Sequence, residues 1–182
     1  MTMRKIIDIA STGTRYTKAP ALCLDLDNTI RRSKSGKHFI NSADDVELIP
    51  GVEPIIKQYK ESGYFVLGLT NQGGVAHGYM TPEENGAVQD KTRELFEEDP
   101  FDLVLSCTMM PGGEVEPYCH RSLMRKPDIG MLVLFEEIMF RQLKIVDWDN
   151  SIMVGDRQED WGCAQNANIR FEWAYKFFGR EK

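Results

Sequence analysis

The chain has 182 residues, 42% of them hydrophobic and 27% charged, and its 28 acidic against 22 basic side chains leave a formal net charge of −6. That length suits a single domain, 1–182, with its own core, and the acidity argues against broad non-specific nucleic-acid binding, which needs Lys and Arg to neutralise phosphates. The cysteines Cys23, Cys107, Cys119 and Cys163 are scattered rather than framed in pairs, and no apolar run reaches membrane-spanning length, so a reduced, cytoplasmic protein with no membrane partner is expected.

Residues 1–19 hold one short apolar alternation, Ile6-Ile7-Asp8-Ile9, and read as an N-terminal arm or added strand without a leader pattern. Ala21-Leu22-Cys23-Leu24 begins an apolar run that ends in Asp25 and Asp27, then Asn28-Thr29, which suits a tight turn. Two carboxylates at a strand end read either as a cation site or as a solvated strand-to-loop junction. The polar stretch 30–41, with Gly36, predicts a short hairpin or flap. Its Arg31, Arg32, Lys34 and Lys37 form either a local basic groove or a solvated loop; Arg121, Arg125 and Lys126 are a second basic cluster.

Helical spacing over 54–60 stops at Gly63. A second buried strand, 64–69, ends in Thr70-Asn71-Gln72 before Gly73-Gly74. Thr81-Pro82-Glu83-Glu84 is a capping box with proline at the first helical position, which predicts a helix to about Glu97. A third strand covers 102–107, and the stretch 108–125, with Pro111-Gly112-Gly113, predicts a long loop. Pro127 is expected to open an apolar helix reaching about Leu143. A strand at 151–154 runs into Gly155-Asp156, a helix follows to about Ala167, a last strand covers 169–173, and 174–179 is an aromatic-rich tail. Alternating strands and helices predict an α/β fold, a parallel sheet covered on both faces with ligands at its carboxyl edge.

Polar groups now stand at four such edges: Asp25 with Asp27, Thr70 with Asn71, Lys126, and Asp156 with Asp160. Singly these read as well as a turn, a helix entry or a helix face. In this order, D-x-D-x-T, a strand ending in Thr, Lys-Pro and Gly-Asp-x-x-x-Asp resemble the haloacid dehalogenase superfamily of phosphotransferases from about Ala21 to Gly179. The resemblance implies a Rossmann-like three-layer sandwich and a Mg²⁺-dependent phosphomonoesterase. It makes Asp25 the nucleophile that forms an aspartyl-phosphate and Asp27 the general acid and base. Mg²⁺ would be held by Asp25, the Asp27 carbonyl and Asp156. Thr70 and Asn71 would bind phosphoryl oxygens with Gln72 beside them, Lys126 would offset charge, and Asp160 would orient Lys126 or a metal water.

The gaps between motifs leave no room for a large cap domain. Leu48-Ile49-Pro50-Gly51-Val52, the run Thr70 to Tyr79, and Arg125-Lys126-Pro127-Asp128 resemble the capless branch of heptose bisphosphate, histidinol-phosphate and polynucleotide 3'-phosphatases. Arg125 is then a candidate substrate contact, while His77 stands where heptose enzymes tend to carry Arg, and Asn28 replaces a Gly. Heptose enzymes carry a zinc loop where this chain has Met109, Ser122 and Met124 at ligand positions. Cys107, Cys119 and His120 are the residues a regrouped site would use; three ligands fall short of a closed structural zinc site, and no zinc is expected. His38 is assigned to the flap surface only. The expected substrate is a small sugar phosphate or bisphosphate; the alternatives are a nucleic-acid 3'-phosphate end and a non-catalytic phosphate-binding module.

Overall fold

A computed structural model describes residues 16–181. In chain order the first half runs β1 (Thr17–Ala19), β2 (Ala21–Leu24), β3 (Arg31–Ser33), β4 (Val46–Leu48), α1 (Val52–Glu61), β5 (Phe65–Asn71) and α2 (Pro82–Glu94). The second half runs β6 (Leu103–Cys107), α3 (Gly130–Arg141), β7 (Lys144–Val146), β8 (Ile152–Gly155), α4 (Gln158–Ala167), β9 (Arg170–Trp173) and α5 (Ala174–Phe177). Five strands form one parallel sheet in the order β6-β5-β2-β8-β9. The connections leave β2 towards β5 and β6 and later return to its other side at β8. This reversal puts a crevice at the carboxyl ends of the central strands, where α/β sheets take their ligands.

Alternation along β2 builds a core on each face, because successive side chains point to opposite sides of a strand. Ala21 and Cys23 join Leu67, Leu69, Met131, Phe135 and Cys163 under α3 and α4. Leu22 and Leu24 join Ile56, Val66, Val154 and Phe178 under α1 and α5. The result is the three-layer α/β sandwich expected, without a separate cap domain among the described residues. All four cysteines are free thiols. Burial holds the Cys23 thiol far above its ordinary range and pushes Cys163 up to about 12, so neither is poised to react.

Local boundaries depart from the sequence reading in four places. The Lys126–Pro127 peptide is cis and α3 begins only at Gly130, whose N–H donates to Leu123 O at 2.9 Å. A Cβ at 130 would collide with that carbonyl, which explains a glycine at a helix start. The flap is a wider hairpin than 30–41, since β3 pairs antiparallel with β4. Between them Ser42 accepts from the Asp44 N–H and caps a 3₁₀ turn at Ala43–Asp45. A short strand after α3, β7, pairs with β1, and the tail folds into α5. The rest of the expected N-terminal arm, including Ile6 to Ile9, lies outside the described residues.

The flap rests on α2. Ile40, Val46, Val75, Met80 and Val88 make a third apolar cluster, which ties the hairpin to the loop after β5 and to α2. The long loop is tied down as well. The N–H groups of Glu114 and Val115 donate to Ala76 O at 2.7 and 3.0 Å, and Met110 N–H donates to Tyr118 O at 2.9 Å.

Candidate active site

The end of β2 is a tight backbone knot. Leu26 O accepts from the N–H groups of Thr29, Ile30 and Arg31, and Asn28 takes the left-handed conformation with φ 60°, which Asn tolerates. Asp25 N–H donates to Val154 O at 2.9 Å, so the sheet itself fixes the first carboxylate. Asp25 is 6% exposed; its Oδ2 accepts from Thr29 Oγ1 at 2.8 Å and its Oδ1 from Lys126 Nζ at 2.6 Å. The threonine that ends the D-x-D-x-T motif therefore holds its first aspartate.

Lys126 is the centre of the site. The residue is 3% exposed, and its ammonium lies 2.6 Å from Asp25 Oδ1 and 2.7 Å from Asp160 Oδ1 and donates to Leu69 O at 2.9 Å. Asn71 fixes its backbone, donating from Nδ2 to Lys126 O and accepting from Lys126 N at Oδ1, both at 3.0 Å. Burial alone would lower the lysine pKa; the charges of Asp25 and Asp160 outweigh it and keep the group cationic well above its ordinary value. Asp25 moves the other way from a usual carboxylate. Burial pushes it up to about 7, with Lys126 pulling it back and the negative charges of Asp160 and Asp27 adding to the rise.

Asp27 is gripped from both sides. Arg31 Nε donates to Oδ1 and Gln72 Nε2 to Oδ2, each at 2.7 Å, and the same Gln72 amide reaches Thr70 Oγ1 at 3.0 Å. Thr70, 1% exposed, and Gln72 thus form a polar ledge beside the two aspartates.

The third acidic residue, Asp156, follows β8. One oxygen from each of Asp25, Asp156 and Asp160 lies within 4.8 Å of the others. Asp160 is already engaged by Lys126 and by the Arg157 N–H at 3.0 Å, whereas Asp156 Oδ1 is buried with no hydrogen-bond partner. Burial, then the charge of Asp160, raises the Asp156 pKa. A lone buried carboxylate oxygen beside other carboxylates fits a hard cation that takes oxygen ligands. A Cβ at Gly155 would collide with Asp160, so glycine is what lets this turn close.

Asp156 lines a neighbouring cavity with Asn28 and Gln158, while Asp25, Asp27, Thr70, Gln72, Lys126 and Asp160 floor one of about 420 Å³. Its walls include Arg125, which donates to Met109 O at 3.3 Å and whose pKa is lowered first by burial and further by Arg157, against Cys107 and Glu159. Arg157, Phe39, Tyr79 and Met110 also line it, and none was singled out from the sequence. His38, read as flap surface only, lines it too. Phe39 and Met110 reach the cavity through loop packing, while Arg157 and Tyr79 fall within motifs at positions to which no role was assigned.

Two expectations need correction. Arg31 is no part of a basic groove: it is 0% exposed, and beyond Asp27 its guanidinium contacts Gln89 Oε1 at 2.9 Å, Thr92 Oγ1 and Val88 O. Arg32 pairs with Glu47 at 2.6 Å and Lys34 donates to Asp44 O at 2.9 Å, so these two are engaged within the hairpin. Nor are Cys107, Cys119 and His120 one group. Cys107 is buried, its thiol facing Met109 O at 3.7 Å, while Cys119 and His120 both bond Glu116, at 3.1 and 2.8 Å.

The sequence profile of the polynucleotide kinase 3 phosphatase family matches residues 21–178. The D-glycero-beta-D-manno-heptose-1,7-bisphosphate 7-phosphatase of Salmonella typhi is 30% identical over 152 residues, covering 82% of this chain and 77% of that protein. The enzyme of the same name from Haemophilus ducreyi is 31% identical, covering 82% and 79%. A HAD-like phosphatase structure from Mesorhizobium loti superposes with a TM-score of 0.71 at 31% identity, covering 86% of this chain and 72% of that one. A heptose 1,7-bisphosphate phosphatase from B. bronchiseptica, complexed with magnesium and phosphate, gives 0.64 at 24% identity over 84% and 78% of the chains, a likeness of fold. No described helix is long and apolar enough to cross a membrane. With the profile spanning nearly the whole described fold, the chain belongs to the haloacid dehalogenase-like phosphatases of this family and is a phosphoric monoester hydrolase.

Proposed function

We propose that this chain is a Mg²⁺-dependent phosphomonoesterase of small sugar phosphates or bisphosphates, built as one catalytic domain, in which Asp25 is the nucleophile. The observation that carries the reading is the buried contact of Asp25 with Lys126, backed by Asp160, at the floor of the cavity. Asp25 Oδ attacks phosphorus, the ester P–O bond breaks, and an aspartyl-phosphate forms; water then attacks phosphorus and releases phosphate, which restores the carboxylate. Asp27 gives the leaving oxygen its proton and takes one from that water. Lys126 and the Thr70 hydroxyl stabilise charge on the phosphoryl oxygens, and Asp160 holds Lys126 in place.

Asp25, the Asp27 carbonyl and Asp156 would hold the metal, the partnerless Asp156 oxygen being the support for that assignment. Bound there, Mg²⁺ supplies positive charge against the phosphoryl oxygens and lets a dianion approach three carboxylates. Arg125 would contact the remainder of the substrate. The relatives' action on a heptose bisphosphate supports the sugar class. The family description also raises a nucleic-acid 3'-phosphate end as substrate; the internal pairing of Arg31, Arg32 and Lys34 weighs against it.

We expect turnover of a sugar bisphosphate to vanish in Asp25→Asn, and to vanish with EDTA and return with Mg²⁺. A 3'-phosphorylated oligonucleotide should be turned over far more slowly. An Asp25→Asn enzyme that keeps more than about a few per cent of the rate would overturn the nucleophile assignment.

A further inference from the structure

The cavity has a polar floor and an aromatic mouth. Phe39 and Tyr79 line it and are 57% and 64% exposed; among the described residues only one other aromatic side chain, Trp161, figures with them as an exposed large hydrophobic. Placing two of those three at the rim of one cavity leaves apolar faces in water beside the catalytic groups. That arrangement costs solubility and is expected where a ligand covers them.

Each ring has a neighbour that sets its orientation. His38 meets Phe39 edge-on with centroids 4.4 Å apart, and His77 stacks on Tyr79 at 5.6 Å and 24°. Gly78, with φ 71°, makes the turn that sets His77 against Tyr79. The backbone beneath is anchored, because Ile40 follows the first pair, Val75 and Met80 flank the second, and all three are buried in one cluster. The rings therefore belong to a packed rim, so little ordering entropy opposes binding on them.

Aromatic faces held this way recognise a flat π-system by stacking, which needs no hydrogen-bond match. We propose that the mouth formed by Phe39 and Tyr79, with their His38 and His77 partners, binds a planar heteroaromatic ring at the far end of the leaving group. The preferred substrate is then a small sugar phosphate that bears such a ring, the chemistry of a nucleoside monophosphate. The proposal rests on the phosphatase reading of the floor and narrows its substrate class. The cavity volume of about 420 Å³ suits one such leaving group rather than a polymer.

The test compares kcat/KM for adenosine 5'-monophosphate and ribose 5-phosphate, which break the same kind of ester bond and differ only in the ring; adenosine 3'-monophosphate is a second ring-bearing arm. The wild type should favour at least one ring-bearing substrate about tenfold or more over ribose 5-phosphate, the scale of one base stacking on one aromatic side chain. In Phe39→Ala/Tyr79→Ala that ratio should fall to within about twofold of unity. Both positions are exposed, so the double variant should fold, and a thermal melt checks that it does. A wild-type ratio near one, or a ratio the double variant leaves unchanged, overturns the proposal. Acetyl phosphate separates the two levels. Its turnover, lost in Asp25→Asn, together with failure of all ring-bearing substrates would overturn the ring site and leave the phosphatase reading standing, whereas turnover that survives in Asp25→Asn would overturn both.

Discussion

Arg31 shows how much a single buried charge can organise. Its guanidinium is fully enclosed, bonded to Asp27 on one side and to Gln89, Thr92 and Val88 O of α2 on the other, while its second terminal nitrogen has no partner. The residue thus joins the flap, the second helix and the proposed acid and base. Replacing it with Met keeps most of the volume but leaves Asp27 with Gln72 alone and strips Gln89 and Thr92 of a charged donor. We expect Arg31→Met to destabilise the fold by about 1.5–3 kcal/mol, the scale for losing hydrogen bonds from a charged donor, because the Asp27 side chain is 32% exposed and stays partly solvated. Urea unfolding would check it, and a midpoint within experimental error of the wild type would refute it. The sequence could not show this role. The buried positions of α2 are Asn85, Val88, Gln89 and Thr92, so its inward face is mostly polar and no hydrophobic periodicity marks it. By contrast the order of the motifs marks Asp25, Asp27, Thr70, Asp156 and Asp160, which stand at strand ends or the start of α4, and Lys126, which stands in the loop before α3.

At the level of elements, the apolar runs behind β2, β5 and β8 announced themselves, since a strand covered on both faces is hydrophobic at every position. The strands β3, β4 and β7 are three residues each and did not. β3 and β4 pair with each other across a polar hairpin, and β7 finds β1 only after α3 has turned back. Asp102 is where such distant elements meet. Its carboxylate accepts from Val66 N–H at 2.9 Å and from Lys60 at 2.6 Å and lies 3.4 Å from Lys144, next to β7's start. Burial alone would raise its pKa, but the hydrogen bonds of Lys60 and Val66 outweigh it and hold the group below the ordinary carboxylate value. A depressed folded-state pKa means stability that is present above the unfolded value of about 3.9 and lost as pH falls through the folded one. Asp102→Asn should therefore cost about 1–2 kcal/mol at pH 7, discounted for the half-exposed lysines. The gap to wild type should close as the pH drops below about 4. Denaturant titrations across that range would check it, and a difference that persists undiminished at low pH would assign the effect to packing instead.

Across the whole molecule, the catalytic floor belongs to the sheet while its walls come from the start of α4 and from three loops that the sheet does not fix: the flap, the turn after β5, and the long stretch 108–125. A metal could have latched the last of these, yet the structure shows another fastening. The N–H groups of Glu114 and Val115 converge on Ala76 O, and Gly113 approaches so closely that a Cβ would press on that same carbonyl. Met110 fills the space above Gly73 in the same way, and Arg125 reaches back to Met109 O. These contacts carry the position of the loop into Arg125 and Lys126. Glu116, Cys119 and His120 do cluster, but the three lie on the loop's surface, fewer than the four ligands a closed structural zinc site uses. We therefore expect purified protein to hold well under one equivalent of zinc, and Cys119→Ser to melt with the wild type, as surface substitutions do. Gly113→Val should behave differently: the branched side chain must push the loop off Ala76, costing about 1–3 kcal/mol as overpacking does and lowering turnover by displacing Arg125 and Lys126. Elemental analysis, thermal melts and steady-state rates on the two variants decide the matter. Stoichiometric zinc with a Cys119→Ser protein that melts early and loses activity would show that the loop is latched by metal, and a harmless Gly113→Val would remove the backbone latch from the argument.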